Sequence, residues 1–310
     1  MDKRHTPVIL EKSIEGLNIT AGGIYVDGTL GLGGHSKEIA KRLTTGKLIA
    51  IDCDKTAIKI AKDNLKEFEN KIIYVHGNFA EIAEILAGYK INKVDGMIFD
   101  LGVSSPQLDN KERGFSYNQN SDLDMRMDQD SEQTAYNIVN NYDEKELQNI
   151  LFGYGEEKYT KLIVKEIIKK RQRTPIKTTY ELNEIIKSSI PAYARHEAQH
   201  PSKRTFQAIR IAVNNELEAL EKMLTEAPDL LYKHGRLCII SFHSLEDRIV
   251  KKEFVRLAKN CECPKDFPIC TCDKKATFKI INRKPITANE DEIKQNPRAR
   301  SAKLRIAEKL

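Results

Sequence analysis

From Gly23 to Phe99 strand-length apolar runs alternate with helical patterns, and this alternation restricts the chain to one kind of core. Gly23–Val26 reads as a strand, Ser36–Leu43 as a helix, Lys47–Ile51 as a strand and Lys55–Phe68 as a helix. Ile72–Val75 and Val94–Phe99 continue as strands, with a helix at Phe79–Leu86 between them. Strands joined through helices pair in parallel, and a parallel sheet must be covered on both faces. The expected class is α/β.

Beyond Asp100 the pattern changes. From Asn110 to His200 a polar loop is followed by helical stretches at Gln133–Asn140, Glu144–Phe152, Glu157–Arg171 and Tyr180–Ile190, with no convincing strand. A long helix is expected over Thr205–Leu224, a strand over Gly235–His243 and a helix over Leu245–Lys259, so the sheet resumes after the break. Thr277–Asn282 and Lys303–Ala307 would close it as a hairpin pair. The expected organisation is a sheet domain in two parts, 1–109 and 201–310, around an inserted helical subdomain at 110–200 that recognises substrate.

Composition excludes several classes. With 40% hydrophobic and 31% charged residues the chain can bury a real core, and no apolar run approaches the ~18 residues that span a bilayer. The start, Met1-Asp2-Lys3-Arg4-His5, leads into no hydrophobic secretory segment, so a cytoplasmic protein is expected. Residues 1–200 carry 28 Lys+Arg against 30 Asp+Glu, whereas 201–310 carry 23 against 15, so the basic excess lies in the last third. That excess suits a polyanionic partner but does not require one.

The strand at Gly23–Val26 runs through Asp27 into Gly28-Thr-Leu-Gly31-Leu-Gly33-Gly34-His35-Ser36, a strand-to-helix turn where backbone can approach a nucleotide. No lysine follows Gly34, and Ser36 replaces the last glycine of GxGxxG, so a pyrophosphate is not the expected ligand. Asp52 lies 19 residues beyond Gly33, near the offset at which an acid receives ribose hydroxyls; helix capping is the plainer alternative. Asn78-Phe79 offers an amide and a ring beside an adenine. Asp100 and the turn Ser104-Ser105-Pro106-Gln107 follow the fourth strand, either facing the ligand crevice or merely closing the strand. Ser244 with Asp247 makes a capping box, leaving His243 and Arg248 unassigned. Cys261-x-Cys263 and Cys270-x-Cys272 could hold one zinc, but reduced, metal-free thiols are the expectation. Arg298, Arg300 and Arg305 suit phosphate contacts or a solvated edge strand.

Taken in order, His5-Thr-Pro-Val8, Tyr25–Thr29 with Gly31–Ser36, Asp100–Leu108, Glu112–Ser116, Leu123–Asp128, Arg204–Arg210, Ser241–Arg248 and Asn296–Ser301 resemble the RsmH/MraW family of 16S ribosomal RNA cytosine-N4 methyltransferases. The resemblance implies a Rossmann-like class I fold with a mostly parallel seven-stranded sheet and a helical insertion. It also implies S-adenosylmethionine as cofactor, and a cytidine in the decoding region of 16S ribosomal RNA as substrate, within the small ribosomal subunit. Cofactor contacts carried over by position are Gly33, Gly34, His35, Asp52, Phe79, Asp100 and Gln107. The catalytic set expected from the place of the turn after the fourth strand is Asp100, Ser104 and Ser105. The Ser104–Gln107 turn is similar in place to the [DNS]-P-P-[YFW] turn of DNA amino-methyltransferases but has one proline and no terminal aromatic, so a stacking ring is expected elsewhere, at Phe115 or Tyr117. A nicotinamide-dependent oxidoreductase and a non-catalytic RNA-binding protein are the alternatives.

Overall fold

The computed structural model describes residues 7–196, 200–261, 263 and 271–310. They form two compact units, one of Met1–Gly102 with Leu217–Leu310 and one of Val103–Glu216. The division falls at Val103 and at Glu216 rather than at 110 and 200. The turn after Asp100 and the helix Lys203–Asn214 thus belong to the inserted unit. His5 and Thr6 lie outside the described residues.

The first unit is built on seven strands: β1 (Ile24–Asp27), β2 (Lys47–Asp52), β3 (Ile72–His76), β4 (Val94–Asp100), β5 (Leu231–Ser241), β6 (Phe278–Ile280) and β7 (Lys303–Lys309). Their order is β3-β2-β1-β4-β5-β7-β6, parallel except for β7, which runs antiparallel to both neighbours. The α/β expectation holds, and the closing hairpin pair forms. Period-two alternation sends successive side chains to opposite faces. On one face Tyr25, Leu48, Ala50, Ile98, Cys238 and Ile240 pack with α1 (Leu10–Leu17), α2 (Gly34–Arg42) and α3 (Lys55–Asn64). On the other Val26, Ile49, Ile51, Met97, Phe99, Leu237 and Ile239 share a core with α4 (Ile82–Gly88).

The second unit holds α5 (Ser105–Asp109), α6 (Ala135–Asn141), α7 (Glu144–Gly155), α8 (Thr160–Arg171), α9 (Thr179–Ser189) and α10 (Lys203–Asn214) around its own apolar core. Its polar loop is tied down by its own groups. Buried Arg113 donates to the carbonyls of Arg126 and Met127, and Arg126 forks onto Asp124. Asn214 receives the Met127 N–H and donates to the Met125 carbonyl.

Several details depart from expectation. The long helix expected over Thr205–Leu224 is two, α10 and α11 (Glu216–Glu226), because Asn215 takes φ 49°, a left-handed conformation that asparagine tolerates. The strand expected to reach His243 ends at Ser241, and His243 instead caps α12 (Ser244–Leu257) in a box with Glu246, displacing the Ser244–Asp247 box. Asp247 serves another purpose. Alternation in β7 puts Arg305 on the face opposite Leu304 and Ile306, where its Nε donates to Asp247 Oδ1 at 2.7 Å and its side chain is only 9% exposed. Burial opposes it, but Arg305 and Lys303 hold the Asp247 carboxyl below its ordinary value. Arg305 therefore anchors a strand and is not available to phosphate. The last helix is α13 (Glu290–Gln295), in the loop before β7. No helix among the described residues is long and apolar enough to cross a membrane.

Inside the second unit a Cβ at Gly155 would stand 2.8 Å from the Arg204 carbonyl oxygen, where α7 meets α10 backbone to backbone. Gly155→Ala should lower stability by ~1–3 kcal/mol, the usual penalty for overpacking, read as a shifted denaturation midpoint. An unshifted midpoint would mean that the helices part without resistance.

Candidate active site

In open parallel sheets a crevice forms at the carboxyl ends where strand order reverses, here between β1 and β4. Each strand around that point ends in an acid: Asp27 on β1, Asp52 on β2 and Asp100 on β4. Glu246 comes from the first turn of α12, just beyond β5.

The glycine turn is laced to these acids. Gly31 N–H donates to Asp52 Oδ2 at 2.7 Å, and Asp54 N–H to Asp52 Oδ1 at 2.8 Å. Asp27 accepts from Ser36 Oγ at 2.7 Å and from Thr29 N–H at 3.2 Å, while the Thr29 hydroxyl receives the Asp100 N–H at 2.6 Å. Gly31 and Gly33 take φ of 51° and 84°, and a Cβ at Gly33 would stand 2.7 Å from Leu65. Only glycine lets this backbone turn there. Gly33 caps α2 and Gly34 opens it.

His35, 6% exposed, sits between Val8 and Asp100. Its Nε2 lies 3.2 Å from the Val8 carbonyl oxygen, and its Nδ1 lies 3.9 Å from Asp100 Oδ2. A carbonyl only accepts, so Nε2 carries the proton. Phe79, in a single turn after β3, meets Phe99 edge-on with ring centroids 5.6 Å apart and keeps part of its surface open.

The electrostatics are unusual. Burial pushes the Asp27 and Asp52 carboxyls up to about 6. Burial, followed by the charges of Asp27 and Glu246, raises Asp100 well above the ordinary carboxylate value. Among the described residues no lysine or arginine bonds any of the three, and Asp100 Oδ1 is shielded from solvent without a hydrogen-bond partner. Such a group calls for a cation or a donor from outside the chain.

Ser104, Ser105 and Gln107 belong to the second unit. Ser104 caps α5, and its N–H donates to Gln107 Oε1 at 2.9 Å, so buried Gln107 serves the turn's own structure. Ser104 Oγ is buried within the capping box of α5, and Ser105 is half-buried at the first position of α5. Phe115 lies buried in that unit's core, which removes it as a stacking ring. Tyr117 stacks on His200 at 4.2 Å.

Asp27, Thr29 and Glu246 were not singled out from sequence. Asp27 carried a signal, its place at the end of the strand that enters the glycine turn. Glu246 carried another, the three-residue spacing from His243.

Residues 2–310 match the family model described as the MraW methylase family. The chain belongs to that family. A curated relative from Clostridium botulinum is 55% identical, with 100% of each chain covered; one from Brevibacillus brevis is 52% identical, over 99% of this chain and 98% of that one. Both are named ribosomal RNA small subunit methyltransferase H. A solved structure of a putative rRNA-methylase from Clostridium thermocellum aligns with TM-score 0.47 at 11% identity, covering 99% of this chain and 100% of that one.

The cofactor of this methylase is S-adenosylmethionine. Two features of the residues present suit it: the glycine turn, where backbone can come close to a ligand, and the Asp100 oxygen that has no hydrogen-bond partner. The oxidoreductase alternative has no support.

Two outcomes follow from the buried acids. Asp52→Ala should weaken S-adenosylmethionine binding by ~2–4 kcal/mol, as expected for bonds to a charged acceptor, measured by calorimetry. A change under threefold would reject the ribose assignment. Ionised carboxylates attract a cation, so affinity should rise as pH increases through about 6, the value for Asp27 and Asp52, and rise less for S-adenosylhomocysteine, which lacks the sulfonium charge. The ligand-free protein should respond oppositely. Both values are raised from 3.8, so the folded state binds more protons, and this contribution to stability is full below 3.8 and lost as pH climbs to about 6.

Proposed function

We propose that this methylase transfers a methyl group from S-adenosylmethionine to the exocyclic N4 amine of a cytidine in the decoding region of 16S ribosomal RNA, on the small ribosomal subunit in the cytoplasm. The observation that carries this reading is identity of 52–55% with enzymes named for the small-subunit RNA over essentially the whole chain.

When bound, S-adenosylmethionine supplies an electrophilic methyl on a cationic sulfur. The chain supplies the rest. Cytosine N4 is a poor nucleophile because its lone pair is delocalised into the ring, so the site must accept hydrogen bonds from the amine and take up the proton that leaves it. Above about pH 6 Asp27 and Asp52 give the cofactor end an anionic setting, and among the described residues no lysine or arginine bonds them. Asp100 mainly holds the cofactor, its backbone N–H held by the Thr29 hydroxyl. Ser104 and Ser105 are the proposed catalytic residues, accepting from N4; beyond its place in the α5 capping box the Ser104 hydroxyl keeps a second lone pair for that role. Gln107 would contact the cofactor only through atoms that its capping bond leaves over.

N4 is out of reach within a paired stack, so the cytidine must be splayed or flipped out. The helical unit, Val103–Glu216, is proposed to contribute to RNA recognition. Exposed Arg298 and Arg300, just before β7, are proposed to contact phosphate.

Ser104→Ala and Ser105→Ala should each lower the single-turnover rate ~10²-fold at saturating cofactor with affinity little changed, whereas Asp100→Asn should weaken cofactor binding. Full rates in both serine variants would pass the acceptor role to backbone. Comparing cytidine methylation along 16S RNA with and without the protein tests the substrate itself; absence of any changed cytidine would reject the reading.

A further inference from the structure

The run Cys261-x-Cys263…Cys272 takes no part in the site above. It lies between α12 and β6, and the segment's two ends are pinned to each other: Thr277 N–H donates to the Leu257 carbonyl at 2.9 Å, and Ala276 N–H to Asn260 Oδ1 at 2.9 Å. Within this closed segment the sulfurs of Cys261, Cys263 and Cys272 all lie within 4.8 Å of one another.

From this geometry we propose a structural zinc site with Cys261, Cys263 and Cys272 as thiolate ligands. Zinc bound to sulfur at about 2.3 Å in a tetrahedron sets sulfur–sulfur edges of about 3.8 Å. Cys261 and Cys272 Sγ stand 3.7 Å apart. A disulfide would need about 2.05 Å, so the two are not bonded, and their spacing matches the edge of such a tetrahedron. The backbone is also arranged for thiolates. Cys263 N–H points at Cys261 Sγ from 3.3 Å, and Thr271 N–H at Cys263 Sγ from 3.4 Å. Bonds of this kind orient sulfur ligands and stabilise their negative charge. All three cysteines are half-buried, which limits access of water without sealing the site from a metal.

Zinc is the cation that this donor set selects. Thiolates disfavour magnesium and calcium, which take oxygen, and a tetrahedral sulfur-rich set suits a structural zinc. Three thiolates fill three corners. The sequence carries a further cysteine, Cys270, which lies outside the described residues. Metal binding would clamp the connection into β6, the last strand of the sheet order, where a three-residue strand has little pairing of its own.

The test uses the full chain, purified under reductant with zinc supplied. Elemental analysis should find about one zinc per chain after dialysis. Cobalt loaded in its place should give the strong sulfur-to-metal charge-transfer absorption of thiolate ligation, its intensity counting the thiolates. Cys261→Ser with Cys272→Ser should abolish both signals while S-adenosylmethionine binding persists, since neither residue touches the cofactor site. Should that variant fold poorly, alkylation of the wild-type chain decides: zinc should protect Cys261, Cys263 and Cys272 but leave Cys53 as reactive as before. Substoichiometric zinc with no protection, cobalt bound without a charge-transfer band, or a disulfide between Cys261 and Cys272 in the reduced preparation would each overturn the proposal.

Discussion

A carboxylate shielded from water without a cationic partner is expensive, and this protein places buried Asp27 and half-buried Asp52 and Asp100 at the carboxyl ends of three adjacent strands. For Asp27 and Asp52 the tolerance rests on donors from the chain itself. Gly31 and Asp54 give backbone N–H groups to Asp52, Thr29 N–H and the Ser36 hydroxyl serve Asp27, and Asp100 is held through its backbone N–H on the Thr29 hydroxyl. The glycine turn must therefore come close to all three strand ends, which fixes its left-handed residues and the start of α2. Fold and site are set by one requirement: the same N–H groups that shape the turn keep the acids in place for a cationic ligand.

Much of the sheet was legible because its evidence is local. Each strand is an apolar run bounded by turn residues, and each crossover carries helical periodicity. What escaped lacked that kind of signal. Helix α1 is short, starts from Ile9 at φ 49° and has no side-chain cap, so the spacing of Leu10, Ile14 and Leu17 runs for too few turns to mark it. The break at Asn215 leaves hydrophobic periodicity intact on both sides and is set by one backbone angle.

The site was legible in part. Strand ends and the glycine turn fix the places of Gly33, Gly34, Asp52, Phe79 and Asp100 along the chain and make them candidates, whereas His35 enters only through the family resemblance. Glu246 could not be named, since its charge bears on Asp100 only once β5 is laid beside β4. Arg305 shows the opposite failure. Its spacing with Arg298 and Arg300 suggested a row of phosphate contacts, but strand alternation turned it onto Asp247. Gln107 looked like a ligand contact in sequence; as the third residue of a short helix, its carboxamide oxygen has a nearer donor in the Ser104 N–H.

The insertion also has a consequence for the newly made chain. Strand β4 ends at Asp100, yet its parallel neighbour β5 begins at Leu231, with all of Val103–Glu216 between them. While that stretch is being synthesised, one edge of β4 has no strand to pair with, and the sheet so far consists of β3-β2-β1-β4. Bringing β5 to it closes a long loop, whose entropic cost grows as about (3/2)RT ln n for a flexible span. An intervening unit that collapses around its own core shortens that span, so the helical unit acts as a folding spacer. Until β5 arrives, that edge leaves backbone N–H and C=O groups of β4 unpaired, a ready template for a strand of another chain.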